Sequence, residues 1–295
     1  MRKSQIRAKD ATRKNSVGGK IFLAFFFVFF VLETFTLMYA FFWCVSNSLK
    51  GNLEYLDSAF RLPRQLLLGN YVRAFQEVVI NGNRLYVLYF NSIWMSSLHV
   101  SVSIASSTLA AYALAKFRFP GKSVIFSIAI LVQILPIIGT GPALYKFLHK
   151  FGIANNPALI WLIWAGGFDF MFIVLYGYFK SISNSYAEAA YMDGAGHIKT
   201  MIRVMLPQAA PAIMALMVLN LIGAWNDYGT SLLYMRGYPN LALGIFLFEQ
   251  ESQFASIGTP ILLANIMIAV LPLLVLFVVC QKMIMTNVTA GGLKG

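Results

Sequence analysis

Six stretches of this chain are each long and apolar enough to cross a bilayer: about Ile21–Val45, Tyr86–Ala115, Val124–Tyr145, Ala158–Phe179, Ala209–Leu233 and Ile261–Cys280. A transmembrane helix needs roughly 20 consecutive, largely apolar residues. The chain is therefore expected to be all-α, a polytopic membrane protein with six transmembrane helices. Composition agrees, since 59% of the 295 residues are hydrophobic and only 12% are charged. Soluble domains carry about 25% charged residues.

The charges orient the chain. Segments 1–20, 116–122, 180–203 and 282–295 fall on one side of the membrane and hold 15 Lys/Arg in 65 residues, whereas 46–85, 146–157 and 233–260 hold 8 in 80. Basic loops stay inside, so both termini are expected in the cytoplasm. The formal charge of +12 is thereby explained without nucleic acid as a partner. The first apolar run is too long for a signal-peptide core and lacks an A-x-A-like site, so it is expected to stay as an anchor. Cys44 and Cys280 both lie in apolar runs and are too few for a disulfide framework. No internal repeat or low-complexity linker divides the chain. On the outer side, Ser46–Leu85 carries a possible amphipathic piece, YVRAFQEVVI at 71–80, read as part of a solvated cap.

One loop does not suit a merely connecting role. Residues 185–207, between spans four and five, put Glu188, Asp193, His197, Lys199 and Arg203 around two glycines and end on Leu206-Pro207. Ser185-x-x-Glu188 has the form of a capping box, which predicts a short helix from about Tyr186. Gly194 allows the positive φ that ends a helix, and Gly196 adds a second flexible point before HIKTMIRVML. Pro207 is expected to end or kink that second helix. The product is a cytoplasmic helix-turn-helix presenting Ala189 and Ala190 beside an acid, a flat surface for another protein.

These residues match a known pattern. Glu188-Ala189-Ala190-x3-Gly194-x9-Val204-x-Leu206-Pro207 resembles the EAA loop of permease subunits of bacterial ABC importers, with Val204 where isoleucine is usual. AWNDY at 224–228 and YPNLALGI at 238–245 are similar to segments of carbohydrate-uptake permeases of the maltose-permease, MalG-like type. TNVTAGGLKG at 286–295 resembles their tail, with Asn287 replacing glycine and Gly292-Leu293 replacing Ala-Val. The likeness covers roughly 86–295. It divides the chain into 1–85 (tail, first span, outer loop), a permease core 86–285 and a cytoplasmic tail 286–295.

The resemblance implies a sugar importer subunit forming half of a translocation pathway. Its partners would be a second, MalF-like permease, two ABC ATPases, an extracytoplasmic solute-binding protein, membrane lipid and the sugar. It places the chain in the bacterial cytoplasmic (inner) membrane. ATP and Mg would sit on the partner subunits, with no cofactor and no metal on this chain. Glu188, Ala189, Ala190, Asp193, Gly194, Leu206 and Pro207 would couple to the ATPase, Glu188 pairing with a basic residue there. Thr289, Gly291 and Lys294 would make the tail contacts. The outer loop 233–260, with Tyr238, Pro239, Glu249 and Gln250, would reach the binding protein.

The residues themselves offer no catalytic site. Gly121-Lys122-Ser123 ends like a phosphate loop, but the glycine required five residues earlier is Lys116. His99, His149 and His197 fit no metal-ligand spacing. Polar groups inside spans are costly and mark partners or cavities: Glu33, Asn91, Gln133, Asp169, Asn220, Asn226, Asp227 and Asn265. Trp225, Asn226, Asp227 and Tyr228 combine an aromatic face with amide and carboxylate, the chemistry a sugar needs, and with Asn220 they are the pathway candidates. Packing between helices is the other reading of Asn226 and Asp227, and the favoured one for Asn91, Gln133 and Asn265. Pro136, Gly139, Gly141 and Pro142 are expected to kink or loosen the third span. The alternatives are a permease for another polar solute, such as a polyol or glycerol phosphate, and an ion-coupled secondary transporter. The latter would show two related halves, and no such repeat is present.

Overall fold

In the computed structural model the described residues are 17–77, 79–135, 139–250 and 258–291, with side chains described except at 17, 77, 249 and 282–291. Helices dominate. They are α1 (Val17–Ser48), α2 (Asn52–Asp57), α3 (Gly69–Glu77), α4 (Leu85–Lys116), α5 (Lys122–Ile134), α6 (Thr140–Lys150) and α7 (Phe170–Ser181). After these come α8 (Ser185–Met192), α9 (His197–Trp225), α10 (Gly229–Leu233), α11 (Leu241–Gln250) and α12 (Thr259–Gly291). A backbone in hydrocarbon must satisfy its own N–H and C=O groups, and the helix does so within one segment.

Among the described residues four helices are long and apolar enough to cross a membrane: Gly18–Ser48, Leu85–Lys116, His197–Trp225 and Thr259–Gln281. The third and fourth predicted spans are instead built in pieces. α5 has 13 residues, about 20 Å at 1.5 Å per residue, short of a hydrocarbon core of about 30 Å. Gly139 at φ +91 then restarts the chain as α6, so one of the residues predicted to loosen this span breaks it; Gly141 and Pro142 lie within α6, and Pro136 falls outside the described residues. The fourth run begins as a 3-10 turn, Ile160–Trp164, and becomes α7 only after Gly167 takes φ +71. The Cβ that Gly167 lacks would sit 3.3 Å from the Ser106 carbonyl oxygen, a close approach that favours glycine there. The fifth span likewise breaks at residues 226–228 before α10.

The predicted amphipathic helix at 71–80 stops at Glu77, and Val79–Ile80 pairs antiparallel with Asn83–Arg84 as the strands β1 and β2. Asn81 and Gly82, at φ +49 and +76, make the turn. An Asn-Gly pair with both φ positive is the favoured two-residue hairpin connection. Among the described residues the all-α expectation therefore holds apart from this hairpin.

The chain forms two compact units. The first, Met1–Val72 with Ile257–Met267, is tied by polar groups. Asn70 donates through Nδ2 to the carbonyls of Ser48 and Lys50, both at 2.8 Å. Lys50 is buried and donates to the Ser58 carbonyl at 3.0 Å. Below this knot, the apolar side chains of α1 from Ile21 to Phe35 are exposed, a surface for lipid or for another helix. Glu33 is exposed among them, while Thr34 and Thr36 donate to carbonyls four residues back.

The second unit, Arg73–Ser256 with Ile268–Gly295, holds the main core. Ala111, Tyr112, Phe172, Leu175, Phe179, Ala187, Met205 and Ala209 pack together there, so α4, α7, α8 and α9 share one apolar interior. Small side chains along α4, Ser103, Ser107 and Ala111 among them, are buried and let the helices approach closely. Two of the three polar residues read as packing bond to other elements, Asn91 donating to the Pro239 carbonyl at 2.9 Å and Gln133 to the Phe168 carbonyl at 2.8 Å, whereas Asn265 is buried with neither side-chain atom hydrogen-bonded. His99 stacks flat on Trp164, ring centroids 4.8 Å apart.

Candidate coupling site and pathway residues

The predicted helix-turn-helix is present, with three local differences. Ser185 is the first residue of α8, not its cap, and no capping box forms. Its amide accepts help from outside the helix by donating to Ser183 Oγ, and the two hydroxyls lie 2.8 Å apart. The Asn184 side chain is drawn away to Lys116, whose Nζ donates to Asn184 Oδ1 at 2.9 Å and to the Ile182 carbonyl at 2.5 Å. The last turn of α4 thus holds the entrance to α8, and a cation there also suits the carbonyl end of that helix.

Gly194 ends α8 at φ +78. Its amide donates to the Tyr191 carbonyl at 3.0 Å, and the Ala195 amide to the Ala190 carbonyl at 2.9 Å. That pair of bonds is the Schellman arrangement, which satisfies carbonyls otherwise left open at a helix end. Across the turn, His197 Nδ1 lies 3.0 Å from the Tyr191 hydroxyl, and the His197 ring meets Phe117 edge-on at 5.5 Å. Tyr191 and Phe117 therefore pin the second helix of the motif to the first and to the end of α4.

The second difference concerns Pro207, which does not end the helix. Residues Met201–Met205 form a π turn, and the Leu206 amide reaches back to the Met201 carbonyl. A proline ring clashes with the carbonyl four residues before it. The wider turn accommodates that ring, and α9 runs on to Trp225.

The third difference is the face presented. Ala187 and Ala190 are both buried, at 8% exposure, whereas Glu188, Ala189 and Asp193 are exposed. A helix turns 100° per residue, so 187 and 190 share one side and 185, 188, 189 and 192 the other. Of the two alanines expected outward, only Ala189 is available. Elsewhere in the motif Met192, at 88% exposure, Ile198 and Ile202 are also exposed. These three were not foreseen as surface residues, although apolar side chains in an otherwise polar loop were a signal.

The pathway candidates have separate surroundings. Trp225 is buried, donates through Nε1 to the Ala269 carbonyl at 3.1 Å and meets Tyr89 edge-on at 5.9 Å. Asn226 is exposed, and its Nδ2 donates to the Ile222 carbonyl at 2.8 Å. Asp227 receives the Thr230 amide on Oδ1 and the Thr230 hydroxyl on Oδ2, which fixes the start of α10. Tyr228 stacks on Phe246 at 4.4 Å. Asn220 sits a turn and a half earlier on α9, and its Nδ2 is buried with no hydrogen-bond partner. Asp169 caps α7 through Oδ1, which accepts the Phe172 amide at 2.9 Å and the Ser107 hydroxyl at 2.8 Å. Thr289 and Gly291 fall in the last turns of α12, where side chains are not described, and Lys294 lies outside the described residues. Among the described residues no group of three or more His, Cys, Asp or Glu could hold a metal ion.

Comparison with known proteins gives this geometry a family. Over 257 residues the chain is 28% identical to the sulfoquinovosyl glycerol transport system permease protein SmoH of Agrobacterium fabrum, covering 86% of this chain and 87% of that one. It is 29% identical to the diacetylchitobiose uptake system permease protein NgcG of Streptomyces coelicolor, covering 84% and 82%. It is also 29% identical to the trehalose/maltose transport system permease protein MalG of Thermococcus litoralis, covering 90% and 94%. The fold matches a chain from the crystal structure of a bacterial ABC transporter involved in import of the acidic polysaccharide alginate. That match has a TM-score of 0.78 at 23% identity and covers 90% of this chain and 98% of the other. Residues 103–284 match the family model described as binding-protein-dependent transport system inner membrane component, and the chain belongs to that family.

Proposed function

We propose that this chain is a permease subunit of an ABC importer for sugars and that it couples to a separate ATPase through α8. The observation that carries this reading is the exposed face of Glu188, Ala189 and Met192 on a short helix whose far side, Ala187 and Ala190, is buried, with Ala187 in the apolar interior shared with α4, α7 and α9. A helix free on one face and packed on the other transmits a push on the first to the second. The named relatives carry oligosaccharides or glycosides, which supports the substrate class.

In this reading the chain crosses the membrane six times, the third crossing made by α5 with α6 and the fourth by the 3-10 turn with α7. Both termini and the Glu188 loop face the cytoplasm, where the basic segments lie. A second permease completes the pathway, a binding protein delivers the sugar outside, and ATP and Mg are held by two ATPase subunits. A partly desolvated ion pair between Glu188 and a basic residue of the ATPase would cost about 2–5 kcal/mol to break on one side.

The test is reconstitution of the chain with its companion permease, ATPase and binding protein in vesicles. ATP-dependent uptake of trehalose, maltose or diacetylchitobiose, lost in Glu188→Ala while the chain still inserts, supports the reading. Undiminished uptake by that variant, or assembly without any ATPase, contradicts it.

A further inference from the structure

A cavity of about 260 Å³ opens beside the start of α7, lined by Asp169, Phe170, Met171, Leu216, Leu219 and Asn220. At about 30 Å³ per water it has room for roughly nine waters, the space of one sugar ring. Two of its walls carry unused hydrogen-bonding capacity. Both bonds to Asp169 end on Oδ1, so Oδ2 is open to accept. Asn220 Nδ2 is a buried donor with no partner, and buried donors in folded proteins are almost always met by protein, water or ligand. Phe170, 65% exposed, and Leu219, 62% exposed, supply apolar surface beside them.

The depth fits a transported molecule. Asp169 precedes the 12 residues of α7, which places it about 18 Å along the helix axis from the Ser181 end, near the middle of a hydrocarbon core of about 30 Å. Polar side chains at that depth face a partner or a cavity. The lining contains one acid and no Lys, Arg or His.

We propose that Asp169 and Asn220 form a subsite for one ring of a neutral sugar on the translocation path. Asp169 Oδ2 accepts from one hydroxyl, the unpartnered Asn220 amide turns into the cavity to donate to a neighbouring oxygen, and Phe170 covers the apolar face of the ring. The lone carboxylate disfavours an anionic sugar. This deepens the importer reading and rests on it; it assigns the chain direct contact with solute and a charge preference.

The experiment uses the full transporter with Cys44→Ser and Cys280→Ser, to which Leu219→Cys, at the exposed edge of the cavity, is added, so that Asp169 and Asn220 both stay in place. Modification of the new thiol by aminoethyl methanethiosulfonate is timed with and without trehalose, maltose, diacetylchitobiose and the anionic sulfoquinovosyl glycerol. Modification is expected, slowed roughly tenfold by a neutral sugar present at about ten times its apparent Kd, and unaffected by the anionic one. Asp169→Asn keeps the helix cap and removes the charge, and it is expected to narrow the gap between neutral and anionic probes. A thiol that reagent never reaches, because the companion permease fills the cavity, overturns the subsite, as does modification that no neutral sugar slows. Uptake by the cysteine-free parent is measured alongside. Transport by the parent together with either of those results removes the subsite alone, whereas a parent that takes up none of the sugars and shows no protection removes the importer reading as well.

Discussion

The Ala195 amide donates to the Ala190 carbonyl at 2.9 Å, closing the turn that holds the Glu188 helix against α9. The bond depends on Gly194 at φ +78, a conformation that costs other residues steric strain.

A Cβ at position 194 would meet nothing within 4 Å, so the penalty there is conformational only. Gly194→Ala is expected to destabilise the turn by about 1–2 kcal/mol, and Gly194→Asn by less, because asparagine tolerates the left-handed region. Thermal unfolding of the purified chain in detergent, ordered Gly above Asn above Ala, checks this.

The two neighbouring alanines should respond oppositely. Ala190→Leu forces a larger side chain into the packed side of α8 and is expected to cost about 1–3 kcal/mol. Ala189→Leu meets solvent and should leave the melting temperature of the isolated chain unchanged while reducing recovery of the ATPase in co-purification.

Trp225→Phe keeps the edge-on contact with Tyr89 and removes the bond to the Ala269 carbonyl. The expected loss is about 1 kcal/mol of stability, with some further cost if that carbonyl stays unpaired. The KM for uptake should not move. A selective rise in KM at unchanged stability would place Trp225 on the solute path instead.

Asn155 clamps the turn after α10. Its Oδ1 accepts the Gly237 amide at 2.7 Å, and its backbone N–H donates to the Tyr234 carbonyl at 2.6 Å. A Cβ on Gly237 would stand 2.8 Å from Asn155 Oδ1. Gly237→Ala and Asn155→Ala each break the same bond, so the double variant is expected to cost clearly less than the two single losses added, read from denaturation midpoints.

Much of this was legible because long apolar runs have few structural solutions in lipid: α1, α4, the membrane part of α9 and α12 follow directly from their length. The break in the third run was signalled by its Pro and Gly residues, Gly139 among them, whereas the fourth run was not legible as pieces, since hydropathy alone does not register the positive φ at Gly167 that divides it. Asn81-Gly82 did carry a hairpin signal, masked by the helical spacing of the residues before it. Around the Glu188 loop, the spacing located the turn at Gly194. It could not tell Ala189 from Ala190, because which of them faces inward depends on where α9 and α4 pack. Asp169 meets Ser107 across 62 positions of sequence, a relationship that no local pattern contains.

The central claim is that the exposed side of α8 is held by a separate ATPase, and a cysteine at position 189 reads it most directly. In native vesicles of the assembled transporter lacking Cys44 and Cys280, Ala189→Cys should crosslink to the ATPase with a short maleimide–succinimidyl ester reagent that joins the thiol to a lysine amine of the partner, while a cysteine at the buried position 187 should not. Capture of no ATPase through position 189, or labelling of that thiol by a membrane-impermeant reagent applied from outside intact cells, would contradict the account.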